Sequence, residues 1–113
     1  PGPVTVVCQC RPAVPDVVTA GDDRVGVRVP DEPTALALLR RVAPLTATSA
    51  NRSGEANARS VAALDAEVRD AAAVVLDGGE TPGGESTVVD VAADEVIRPG
   101  ERAAAVREWL DEH

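Results

Sequence analysis

The stretch TATSANRSGE, Thr46 to Glu55, sets Thr48, Ser49, Asn51, Ser53 and Gly54 directly after an apolar run of Ala43, Leu45 and Ala47. Hydroxyls, an amide and successive backbone N–H groups in this order suit the oxygens of a phosphate or a carboxylate. The same residues are also turn formers that cap their own backbone, so an ordinary loop is the competing reading. Two arginines extend the pattern. Arg28 lies in the alternating run VGVRVP, on the Gly26 face, where a charge needs a partner. Arg98 directly precedes Pro99-Gly100. A guanidinium fork matches carboxylate and phosphate oxygens in pairs, although a surface ion pair would also account for either residue. Ser86 and Thr87, placed just ahead of a β-branched run, add two further hydroxyls.

Other chemistry is poorly supported. GETPGGES, Gly79 to Ser86, has the spacing of a phosphate-binding P-loop, but Glu85 stands where the lysine belongs. That puts an anion beside the phosphates, and the loop leads into a strand instead of a helix N-terminus. The only histidine is the terminal His113, expected to fray, so a serine–histidine–aspartate set has no placed imidazole. Asp77 and Asp90 could bind a metal, but capping or solvated carboxylates are commoner, and no metal ligand is assigned. Cys8 and Cys10 point the same way on an extended strand, a poor arrangement for a disulfide. They read as two small apolar residues, with a pair of zinc ligands as the alternative.

The 113 residues allow at most one domain, spanning 1–113. Apolar content is almost all Ala, Val and Leu, with no Phe, Tyr or Met and only Trp109 as an aromatic. Small side chains bury little area each, so the core must rest on many modest contacts. All 11 basic residues are arginine and the net charge is −8, which argues against a duplex DNA face and against anionic membranes. No run of about 18 apolar residues is present to span a bilayer. The cysteine usage fits a reducing compartment, so a cytoplasmic location is expected. The chain opens on PGPVTVV, already within a strand, and reads as starting partway through a longer domain.

These residues need elements to position them. Val4–Cys8 is β-branched and bounded by proline, a strand signal. Residues 11–23 read as a loop, and Val25–Pro30 as an alternating strand. DEPTALALLRRVA predicts a helix with Pro33 in its first turn and Arg40 and Arg41 near its end. Pro44–Ser49 reads as a strand, and Ser60 as the cap of a helix from Val61 to about Ala71, with Val61, Leu64 and Val68 on its inner stripe. Residues 72–77 read as a short strand, residues 86–92 as another, and 95–98 as a last one closed by Pro99-Gly100. A final helix covers Ala103–Leu110, with Trp109 as its anchor. Alternating strands and helices predict an α/β (α+β) fold, a mixed sheet with flanking helices.

In order, PGPVTVV, DDRVGVRVPD, PLTATSANRSG, ESTVVDV and IRPG resemble the C-terminal part of the catalytic domain of the Sua5/YrdC/YciO family, over almost the whole chain. The resemblance implies a twisted mixed sheet around a concave cavity, here without the family's N-terminal half. It implies formation of threonylcarbamoyl-adenylate from L-threonine, bicarbonate and ATP, for the modified adenosine at position 37 of certain tRNAs. By the same resemblance, Arg28, Thr48 and Ser86 face threonine, while Ser49, Asn51 and Arg98 face ATP. Magnesium is expected with the nucleotide, and tRNA-modification proteins are possible partners. The alternative is a YrdC-like module that binds nucleotide or RNA without catalysis. Three features depart from the family. No lysine exists to build its Lys-x-Arg motif, Arg24 replaces a common threonine, and cysteines occupy apolar positions of the first strand.

Overall fold

The computed structural model describes all 113 residues. They divide into two compact units, one formed by Pro1–Asp31 with Glu85–His113 and the other by Glu32–Gly84. The first unit holds the sheet. Its strands are β1 (Val4–Gln9), β2 (Arg24–Val27), β3 (Thr87–Asp90) and β4 (Glu95–Arg98), in the order β2-β1-β3-β4. β1 runs antiparallel to β2 and parallel to β3, and β3 runs antiparallel to β4. The expected mixed sheet with helices is therefore present.

β3 is the buried strand. Thr87 is fully buried, and Val89 and Asp90 are buried beside it. A buried threonine hydroxyl needs a partner, and Thr87 Oγ1 accepts the Arg102 N–H at 3.0 Å. That bond places the start of α4 (Ala103–Glu112), whose Ala103 completes the core. Trp109 is no anchor. It is 46% exposed and stacks on the ring of His113, the centroids 4.4 Å apart. The terminal histidine is thus held by that stacking and by a 2.8 Å contact of its Nδ1 with the Trp109 carbonyl, where fraying was expected. Ala103, the first residue of α4, is short enough to pack into the core, while Ala104, Ala105 and the Trp109 indole stay exposed.

The 11–23 loop contains a short helix, α1 (Asp16–Thr19), closed by Ala20 in the left-handed region. At the same end of the sheet, Arg24 donates to Asp90 Oδ1 at 2.6 Å, reaching past β1 from β2 to β3. Asp90 also accepts the Ala93 N–H at 3.2 Å and so shapes the β3–β4 turn. The guanidinium is the main reason the Asp90 carboxyl sits below its ordinary range, and the pairing raises Arg24 in turn.

The second unit contains helices and irregular chain. α2 (Pro33–Val42) is capped by the Glu32 carboxylate, which accepts the N–H groups of Thr34 and Ala35 at 3.0 and 2.8 Å. The predicted helix from Val61 is broken. Ser60 caps a 3-10 turn over Val61–Ala63, and Asp65 then caps a fresh helix, α3 (Ala66–Ala71). Two capping side chains five residues apart each start their own turn. The inner stripe of Val61, Leu64 and Val68 is nonetheless half-buried as the periodicity implied.

Two predicted strands are absent. Pro44–Ser49 and residues 72–77 join no sheet, and Val74 is 72% exposed. A strand requires a hydrogen-bonded neighbour. All four strands of the fold lie in the first unit, so these apolar segments have no ladder to enter.

Two predictions follow from this unit. Asp90 has a folded pKa below its unfolded value of about 3.9, so its contribution to stability is complete above that value and is lost as pH falls through the folded one. Urea midpoints of the parent are expected to decline over that acid range. Asp90→Asn is expected to lower the midpoint at neutral pH and to flatten the acid decline; an unchanged neutral midpoint would refute the role given to the pair. Gly100 has no room for a side chain, because an added Cβ would lie 2.6 Å from the Ser86 carbonyl carbon and 2.7 Å from the Thr87 nitrogen. Gly100→Ala is expected to cost roughly 1–3 kcal/mol in urea denaturation, the range for overpacking a tight contact.

Candidate functional site

The mixed topology brings three predicted residues of the first unit to one end of the sheet. Because β1 and β3 are parallel and their outer neighbours antiparallel, the starts of β1 and β3 lie beside the ends of β2 and β4. Arg28 follows β2, Ser86 precedes β3 and Arg98 ends β4. The Arg28 Nε donates to the Gly2 carbonyl at 3.1 Å, and one of its terminal nitrogens donates to Ser86 Oγ at 2.9 Å. Arg98 clamps the Ser86 carbonyl with two donors, Nε at 3.2 Å and a terminal nitrogen at 2.9 Å.

One serine is thus held from both sides, its hydroxyl by Arg28 and its carbonyl by Arg98. Neither guanidinium pairs with a carboxylate, and both side chains are exposed. Each therefore keeps its full charge and some unused N–H donors. Two fixed cations with free donors around a hydroxyl form a receptor for an anionic oxygen group.

Ser86 itself is fixed by the backbone around it. The Thr87 N–H donates to the Pro3 carbonyl at 2.9 Å, and the Glu101 N–H to the Glu85 carbonyl at 3.1 Å. Gly100 lies against the Glu85–Thr87 backbone, so the Arg-Pro-Gly turn and the serine segment are placed together. Sequence reasoning took Gly100 only as the close of a turn and missed the Gly2 carbonyl; the Thr87 hydroxyl, singled out with Ser86, is buried on the Arg102 N–H instead of facing the site. The signal available for Gly100 was the Pro-Gly pair straight after a functional arginine.

The second unit holds the other three predicted residues within four positions. Thr48 and Ser49 are exposed and carry no side-chain hydrogen bond to the protein. Asn51 builds the loop, its Nδ2 donating to the carbonyls of Arg52 at 2.8 Å and Glu55 at 3.1 Å. Gly54, at φ 81°, supplies the left-handed position of the turn. The Asn51 Oδ1 is buried without a partner. The loop reading holds for this stretch: one end of the Asn51 amide shapes the turn, and the other remains an unused acceptor.

The remaining candidates resolve as structural. Asp77 accepts the Gly79 N–H at 2.9 Å. Arg24, where the family resemblance led to a threonine, is occupied by Asp90. In the glycine loop, Arg59 holds Thr81 through a 3.0 Å bond to its carbonyl and lies over Gly83.

Comparisons with known proteins identify the family of the chain. A Sua5/YciO/YrdC family model, described as "Telomere recombination", matches residues 1–100. The chain is 40% identical to the threonylcarbamoyl-AMP synthase of Bacillus subtilis, over 88% of its own length and 30% of that protein's. It is 38% identical to the threonylcarbamoyl-AMP synthase of Pyrococcus abyssi, over 88% of its length and 31% of that protein's. The crystal structure of P. abyssi Sua5 complexed with L-threonine superimposes with a TM-score of 0.69 at 35% identity, covering 94% of this chain and 34% of that one. Curated synthases are thus matched over 26% to 55% of their length. With the family model covering nearly the whole chain and the ordered motifs falling within it, this chain belongs to the Sua5/YciO/YrdC family.

Proposed function

We propose that the chain carries part of a threonylcarbamoyl-AMP synthase site. The observation behind this reading is the convergence of Arg28 and Arg98, both free of carboxylates, on Ser86. The threonine amine, its ammonium proton given to solvent, combines with bicarbonate to a carbamate and water. A carbamate oxygen then attacks the α-phosphorus of ATP, and the bond to the departing pyrophosphate breaks. The threonine carboxylate, the carbamate and the triphosphate are all anionic, so the protein's main task is to hold them together and neutralise charge.

Arg98 is assigned to the nucleotide phosphates and Arg28, with Ser86, to the threonine carboxylate. Thr48 is assigned to threonine, and Ser49 and Asn51 to ATP, on the family resemblance. The Arg28–Ser86–Arg98 cluster offers no carboxylate and does not suit a resident divalent cation. Magnesium therefore enters as the counterion of the substrate triphosphate. The product would serve tRNA modification, with partner proteins consuming it.

Equilibrium binding of ATP and pyrophosphate release test the reading. Arg98→Ala is expected to weaken ATP binding roughly tenfold to a hundredfold, the loss of a charge-assisted contact of about 1.5–3 kcal/mol. Arg98→Lys recovers only part of it, because the fork geometry is gone. Ser86→Ala leaves the Arg98 clamp on the carbonyl intact and is expected to affect threonine more than ATP. Pyrophosphate release that needs ATP, threonine and bicarbonate together supports synthase chemistry; ATP bound without turnover assigns a binding role instead. Equal ATP binding by the parent and Arg98→Ala, together with an unchanged threonine requirement in Arg28→Ala, would refute the site.

A further inference from the structure

The opposite end of the first unit's sheet carries the one motif left unused, Cys8-Gln9-Cys10. Cysteine is ordinarily among the most buried residues. Here Cys8 is exposed, Cys10 is half-buried, and both are free thiols. The reading as two small apolar residues therefore fails for Cys8. β1 places the two thiols on one face, the face of Val4 and Val6. Cys10 lies one residue past the strand, but its N–H donates to the Asp23 carbonyl at 2.7 Å, so the pairing with the β2 side continues through it.

Neither thiol is committed elsewhere. The Cys8 Sγ is 3.7 Å from the Val6 carbonyl and the Cys10 Sγ is 4.0 Å from the Asp22 carbonyl, weak contacts for a weak donor. Two residues of extended chain separate the side chains by about 6.6 Å. A disulfide needs Cβ atoms about 3.5–4.5 Å apart, which would bend the chain out of its pairing with β2, where Cys8 faces Val25, Gln9 faces Arg24 and the Cys10 N–H meets Asp23. A metal–thiolate bond is about 2.3 Å, so two thiolates held through one ion in line sit about 4.6 Å apart at sulfur. Rotation about the two Cα–Cβ bonds, releasing the weak Sγ contacts to Val6 and Asp22, can close the roughly 2 Å between those separations without moving the backbone.

We propose that Cys8 and Cys10 form a two-thiolate site for one soft d10 cation such as Cu(I) or Hg(II). Both thiols lose a proton to solvent, two metal–sulfur bonds form, and no electron is transferred. Three observations decide the ion class. The donors are soft, which selects against magnesium and calcium. No group of three or more His, Cys, Asp or Glu side chains is available, so a tetrahedral zinc site cannot close. Cys10 also lines a cavity of about 330 Å³ together with Asp16, Asp22 and Asp23, against one cation, Arg11, so the local charge favours a cation.

The test is an anaerobic titration of the full chain with Cu(I) alone, followed by near-ultraviolet sulfur-to-metal charge transfer and by thiol reactivity. The expected result is one ion per chain, with both thiols protected together. Cys8→Ser and Cys10→Ser are each expected to weaken binding by about a hundredfold or more, since one soft donor remains, while Gln9→Ala binds as the parent does. Urea midpoints of the variants confirm that they fold. Binding retained in either serine variant, two ions per chain, or ready closure of an intramolecular disulfide under mild oxidation would each overturn the proposal.

Discussion

The peptide between Ser86 and Thr87 is the point on which the first unit depends. Its N–H meets the Pro3 carbonyl just ahead of β1, its carbonyl takes two donors from Arg98, and Gly100 lies against it with no side chain between. The Thr87 hydroxyl on one side of it holds the start of α4, and the Ser86 hydroxyl on the other meets Arg28. Structural and ligand-facing contacts thus share one residue pair. The threonine is fully buried and serves the fold, while the serine beside it is half-buried.

The mixed sheet makes the two ends of this unit chemically different. At the start of β1 and β3, arginines rest on neutral acceptors. At the other end, Arg24 rests on Asp90, and Cys10 opens on a cavity lined by three aspartates. An all-antiparallel meander of the same strands would place the start of β3 at the other end from the start of β1. The parallel pairing of β1 with β3 is what brings Ser86 beside Gly2, and the antiparallel partners then deliver Arg28 and Arg98 to the same place.

Strands with dense β-branching and a nearby partner were legible: VTVV, RVGV and TVVD all sit in the sheet. Pro44–Ser49 and residues 72–77 carry similar local patterns but no ladder, because periodicity reports what a segment could pair with and not whether a neighbour is there. The broken helix at Asp65 shows a cap overriding a continuous apolar stripe. For the site, the residues were legible from motif order, yet their mutual contacts were not. Arg28 meets a serine 58 positions away and Arg24 an aspartate 66 away, separations at which one sequence gives no geometric signal. Cys8 was misjudged for a related reason: its residue type predicts burial, and only the sheet's open face reveals otherwise.

An acidic chain with a site proposed for anions must keep some cations unspent. Whether an arginine stays available depends on its partner's charge. Arg24 is drawn to a buried carboxylate, and the pair presents little net field. Arg28 and Arg98 are held by a hydroxyl and by carbonyls, which fix the side chain without cancelling its charge. Ordering a long guanidinium in advance also removes part of the entropy that ligand binding would otherwise lose. The Ser86 contacts therefore do two jobs at once: they stiffen both arginines and they leave a concentrated positive field at one end of a chain whose net charge is −8. Screening by salt reaches over roughly 8–10 Å under ordinary conditions, so the distant acidic end weakens this field less than the local pair creates it.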